Sequence, residues 1–181
     1  MRTFVKLIVI TVAFSCSFAF AAETDELANA YRDQRMLEQD VALALAPIKS
    51  KNELDAYVES TPAALSPLSK LSPPARERFL ASITFNEKGI TGFRHDDLQV
   101  ELSPSEIYRV LSLFGAQHTT ALFKRARSET PADAAIMEPL MQTAPQSGPL
   151  CPSQPCDYDG YMCESRATCA PNINTICMRN C

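Results

Sequence analysis

The sequence predicts a mainly α-helical fold of about six short helices with a small antiparallel β meander, followed by a C-terminal disulfide-stapled, cysteine-rich module. Three observations carry this. Between residues 24 and 140, apolar side chains recur at steps of three and four behind Ser, Thr and Pro caps. Around residues 83–102 the period changes to two. Six of the seven cysteines fall between Cys151 and Cys181. The expected organisation is a signal peptide over 1–21, a helical body over 22–142, a linker over 143–149 and a six-cysteine module over 150–181.

Residues 1–21 read as a secretory signal peptide. Arg2 and Lys6 supply a positive start, and Leu7–Phe20 is apolar apart from Thr11 and two serines. Ala19-Phe20-Ala21 then places small residues three and one before the cut. The unbroken apolar stretch is shorter than the ~20 residues a membrane helix needs. Cys16 lacks a lipoprotein lead-in, because Ala13-Phe14-Ser15 precedes it and the apolar run continues beyond it. Cleavage removes two cations and no anions, leaving 15 Lys and Arg against 21 Asp and Glu, a net charge of −6 with six cysteines. No other run has membrane length, so the mature chain is expected to lack a membrane span and to sit in an oxidising space, periplasmic or extracellular. The acidic balance excludes the basic excess of nucleic-acid binders, so nucleic acid is not an expected partner.

The body holds no cysteine and is built from capped segments. The first helix is expected over about Thr24–Ala46, with Leu27, Ala30, Tyr31, Leu37, Val41, Ala44, Leu45 and Ile48 forming a buried stripe. A second opens at Ser50-Lys51-Asn52-Glu53, a capping box, and buries Leu54, Tyr57 and Val58. Four prolines mark residues 61–74 as a connection, after which Ser72-Pro73 starts a third helix carrying Phe79, Leu80 and Ile83. Ile83-Thr84-Phe85 and Ile90-Thr91-Gly92-Phe93 flank the turn Asn86-Glu87-Lys88-Gly89 as a hairpin. Leu98, Val100 and Leu102 alternate similarly and suggest a third strand. Ser103-Pro104-Ser105-Glu106 combines a capping box with proline at the first helical position, and Gly115 suits the residue just past that helix. A fifth helix over about 116–127 turns Thr119, Leu122, Phe123 and Ala126 inward. A sixth opens at Thr130-Pro131 and carries Ile136, Met137 and Leu140.

The module places Cys151, Cys156, Cys163, Cys169, Cys177 and Cys181 in its last 31 residues. So short a segment cannot bury enough apolar surface to offset the entropy of ordering it, and three bridges of ~2–4 kcal/mol each would make up the difference. The spacing does not choose among the 15 pairings six cysteines allow. Cys-x2-Cys pairs and interspersed histidines are missing from it, so no metal is expected. Tyr158 and Tyr161 suit either exposed recognition anchors or the module's small core.

Few residues suggest catalysis. His95 adjoins Asp96 and Asp97, but neighbours on a strand point to opposite faces, so a polar turn accounts for the trio. His118 suits a surface or capping place. Nucleophile-elbow, zinc-helix and phosphate-loop motifs are missing from the sequence, and no cofactor is expected. Asp157-x-Asp159-Gly160 fails as a calcium loop because Tyr161 and Met162 stand where a liganding residue and glycine belong. Lys124-Arg125-Ala126-Arg127 reads as the basic last turn of a helix or as a processing site. The function these features support is a secreted or periplasmic, non-catalytic protein that meets a protein or cell-surface partner through the cysteine module as recognition element or stabilising cap. The alternative is a precursor whose body is a pro-region for a cysteine-rich peptide at about 144–181. An enzyme would have to centre on His95.

Overall fold

Caps set the boundaries of most elements in the computed structural model, which describes residues 16–123, 125–137 and 157–181. The chain divides into two compact units, Met1–Glu38 and Gln39–Cys181. The described part of the first unit is helical and belongs to α1 (Cys16–Leu45), which runs through the expected cleavage point at Ala21. The rest of the predicted signal peptide lies outside the described residues. Of the predicted stripe of α1, Leu37, Val41 and Leu45 are exposed, whereas Ile48, just past the helix, is buried together with Leu43 and Ala46.

In the second unit, Ser50 caps α2 (Lys51–Ser60), its hydroxyl accepting from the Glu53 amide at 3.3 Å. The Glu53 carboxylate reaches past the cap to the Lys49 amide, at 2.7 Å. The proline-rich connection forms two single-turn 3-10 segments, Ala63–Leu65 and Pro67–Lys70. Then follow α3 (Pro73–Ser82), β1 (Thr84–Asn86) and β2 (Gly89–Arg94), the last two joined at the predicted turn. Residues 96–101 form α4 (Asp96–Glu101) rather than the third strand expected from alternation. Asp96 and Asp97 sit in its first turn, where the helix dipole favours acids, and this overrides a period-two pattern only three residues deep. Ser103 and Glu106 close a full capping box on α5 (Pro104–Ser112). The expected fifth helix is a 3-10 segment, Gln117–Leu122, which still buries Thr119 and Phe123. Last of the helices is α6 (Pro131–Met137).

Asp133 ties α6 to α5. Its carboxylate accepts from the Ser105 hydroxyl (2.5 Å) and amide (2.9 Å), and from the amides of Glu129 (3.1 Å) and Thr130 (2.9 Å). The Ser105 hydroxyl foremost, with these further donors, holds that carboxyl well below the usual range despite its burial.

The sheet exceeds the expected meander. β3 (Tyr158–Ser165) and β4 (Thr168–Cys177) form a hairpin, and β4 pairs antiparallel with β2, giving the order β1-β2-β4-β3. Gly92, Phe93 and Arg94 stand opposite Cys177, Ile176 and Thr175. Ile176 and Met178 therefore share one core with Phe79, Phe93, Ile107 and Phe114. With β4 beside it and helices over it, β2 is buried from Gly89 to Phe93 instead of alternating.

Candidate functional site

The hairpin is not a plain ribbon. Asp159 stands opposite Ile176 and Tyr161 opposite Pro171, so β4 spends five residues where β3 spends two. The surplus, Asn172–Asn174, arches out of the hairpin ladder. Asn174 takes a left-handed φ of 60° and Gly160 a φ of 82°, the conformations such a departure demands of an asparagine and a glycine. The Thr175 hydroxyl sits between the Tyr161 and Asn172 carbonyls, at 2.8 and 2.7 Å, inside the arch. The Cys169–Cys177 disulfide braces its two ends, whose Cα atoms are 6.0 Å apart. The same stretch drawn out as a strand would span roughly 26 Å.

Between this arch and the helical elements lies a cavity of about 470 Å³, within the range of ligand sites. His95, Gln99, Leu122 and Arg125 line one side; Asp159, Gly160 and Pro171–Asn174 line the other. His95 caps α4, which sets Gln99 one turn along the same face. The His95 side chain is only 7% exposed and stacks on Phe123, with ring centres 5.0 Å apart.

Hydrogen bonding assigns the tautomer of His95. The Arg125 amide donates to Gln99 Oε1 at 3.4 Å, which turns the Gln99 amide nitrogen towards His95 Nδ1. Nδ1 is then the acceptor, and Nε2–H donates to Asp159 Oδ1 at 3.0 Å. Both ring nitrogens thus have hydrogen-bond partners within the protein. Asp96 and Asp97, its neighbours in sequence, pair with Arg94 and Arg78 instead.

His118 is likewise not a surface residue. Its side chain is largely buried, and Nε2 lies 2.7 Å from Asp157 Oδ2. Asp157 Oδ1 accepts from the Arg179 amide at 2.9 Å. The two histidines of the sequence thus meet the two aspartates that flank Tyr158, one each. The signal was the Asp157-x-Asp159 spacing, which puts both carboxylates on one face of a strand. Nothing in the sequence pointed to Gln99, Phe123 was expected only as an inward-facing core residue, and Pro171 with the asparagines after it was the one mark of the arch.

The other expected site residues fall as follows. Tyr158 and Tyr161 are half-buried, and their rings meet at 5.7 Å. Arg125 and Arg127 are exposed, and the Arg125 guanidinium has no ion pair among the described residues; Lys124 lies outside them. Cys163 bonds Cys181, and Cys169 bonds Cys177, while Cys151 and Cys156 lie outside the described residues. The sulfurs of Cys163, Cys177 and Cys181 lie within 4.8 Å of one another, but the bridges engage all three, leaving no thiolate for a metal. Among the described residues no helix is long and apolar enough to cross a membrane. Comparison of the chain with protein-family models, with curated proteins and with solved structures finds no match in any of the three.

Proposed function

We propose that this is a secreted or periplasmic, non-catalytic binding protein in which the β3–β4 hairpin is the recognition element and the cavity beneath its arch is the binding site. The observation that carries this is the cavity itself, walled jointly by the braced arch and by the helical elements. Its chemistry selects an acidic group on an apolar body, presented by a protein or cell-surface partner. Arg125 offers a cation within a chain of net negative charge, Leu122 and Pro171 offer apolar wall, and Ile173 stands 82% exposed on the arch. Two disulfides and two partly buried His–Asp contacts hold the arch in place before any ligand arrives, which lowers the cost of binding. Disulfides and the lack of a membrane-crossing helix among the described residues fit an oxidising destination. Release of a peptide over about 144–181 would draw Ile176 and Met178 out of the core, which disfavours the precursor alternative.

Titration with blocked tetrapeptides, acidic-apolar against neutral-apolar, followed by amide chemical shifts, tests the proposal. Acidic-apolar peptides should shift the Gln99, Asn172 and Asn174 resonances, and Arg125→Gln should weaken binding about 10- to 100-fold, the worth of one charge-assisted hydrogen bond. Equal response to neutral peptides, or recovery of a 144–181 fragment as the active species, overturns it.

A further inference from the structure

We propose that the four cysteines of the hairpin form a thiol–disulfide exchange site that interconverts two pairings and so releases or braces the arch. The observed pairing is Cys163–Cys181 with Cys169–Cys177. A second pairing is already within reach. Cys163 and Cys169 stand directly opposite each other in the hairpin register. Opposed residues of antiparallel strands have Cα atoms about 4.5–5.5 Å apart, inside the span a disulfide bridges. Cys177 and Cys181 have their sulfurs within 4.8 Å of each other, and of that of Cys163.

Interconversion needs only an external monothiol and consumes no oxidant. The thiolate attacks Cys169 Sγ, the half-buried end of its bridge, whereas Cys177 is buried. The Cys169–Cys177 bond breaks, its electron pair stays on Cys177 Sγ, and the external thiol remains on Cys169 as a mixed disulfide. Cys177 thiolate attacks Cys181 Sγ, forms Cys177–Cys181 and releases Cys163 as thiolate. Cys163 then attacks Cys169 Sγ, forms Cys163–Cys169 and expels the external thiolate unchanged. Two disulfides enter and two leave. The second pairing no longer spans the arch, so the wall over the cavity loses its brace.

The test equilibrates the full mature protein in a glutathione buffer, quenches by alkylation, digests with trypsin and reads connectivity by mass. Cleavage after Arg166 and Arg179 isolates each sulfur set. The observed pairing frees residues 167–179 as an internally bridged peptide, and the alternative tethers it to both the Cys163 and the Cys181 peptides. The tethered species should appear only with thiol present. In Cys169→Ser, the thiol left on Cys177 should exchange without any added thiol, so that alkylation labels Cys163 as well as Cys177. Label on Cys177 alone, with no tethered species from the wild type short of full reduction, overturns the proposal. Neither readout depends on whether the cavity binds a ligand.

Discussion

Ile176→Ala should destabilise the whole Gln39–Cys181 unit, not the hairpin alone. Ile176 is fully buried in β4, opposite Phe93 of β2, within the core that holds Phe79 and Phe114. The substitution deletes three carbons, worth ~0.8 kcal/mol each in transfer. The hole left among these rings adds a cavity cost, so the expected loss is about 3–4 kcal/mol. For a unit of this size that lowers Tm by roughly 10 °C. Thermal and urea unfolding with bridges intact, followed by far-ultraviolet dichroism for the helices and by tyrosine signals, would measure it. Tyr57 reports on the helical elements, Tyr158 and Tyr161 on the hairpin. All signals should shift together. Ile173→Ala, on the exposed crest of the arch, serves as control and should move stability by no more than about 0.5 kcal/mol. A helical transition unchanged by Ile176→Ala, with only hairpin signals moving, would refute the shared core.

Three further outcomes are expected. Gly115→Ala meets both a left-handed φ of 72° and a Cβ placed 2.6 Å from the Ala42 carbonyl, so it should cost about 2–4 kcal/mol, measured by urea denaturation. His118→Ala leaves Asp157 with only the Arg179 amide of the donors described above and should lose about 1–3 kcal/mol, with faster amide exchange at Arg179 as its local signature. Asp133 has a folded carboxyl value held below its unfolded one, so its contribution is complete above about pH 4 and is lost as pH falls towards the folded value. The stability gap between wild type and Asp133→Asn should therefore shrink on acidification below pH 4; a gap that is constant or widens there contradicts the hydrogen-bond account.

Legibility followed the range of the interaction. The Ser50 cap, the capping box at Ser103 and the turn before Gly89 are set by residues within four positions of one another and appear where the sequence placed them, although Glu53 closes on the Lys49 amide and the left-handed Gly115 stands three residues past α5. Errors arose where a local pattern competed with something longer. Val100 alternates with Leu98 and Leu102, yet it is exposed on a helix whose acidic first turn decides the matter. Leu37, Val41 and Leu45 repeat at a helical step, but periodicity alone does not say which stripe a partner covers. The site was the least legible part, since His95 meets Asp159 across 64 residues and His118 meets Asp157 across 39. The Asp157-x-Asp159 spacing reads in the sequence only as a failed calcium loop, and it is the pairing of β4 with β2 that brings these carboxylates to the histidines.

That pairing also explains why a short hairpin carries so many ties. A ladder that spends five residues against two gives up regular hydrogen bonds over the arch, and the exposed Ile173 contributes little burial to hold it. Strands this irregular are marginal on backbone bonding alone. Ile176 and Met178 anchor one end of the arch in the core, and the Cys169–Cys177 bridge closes its span. The His95–Asp159 and His118–Asp157 contacts fix the start of β3 that faces it. The His95–Asp159 contact lies in the cavity wall itself, and the other ties hold the chain that enters and leaves that wall. Stability alone would be served by a two-residue ladder with no arch to brace. The proposed binding role gives these ties a use, since a shaped wall beside Arg125 must be held open before a ligand arrives.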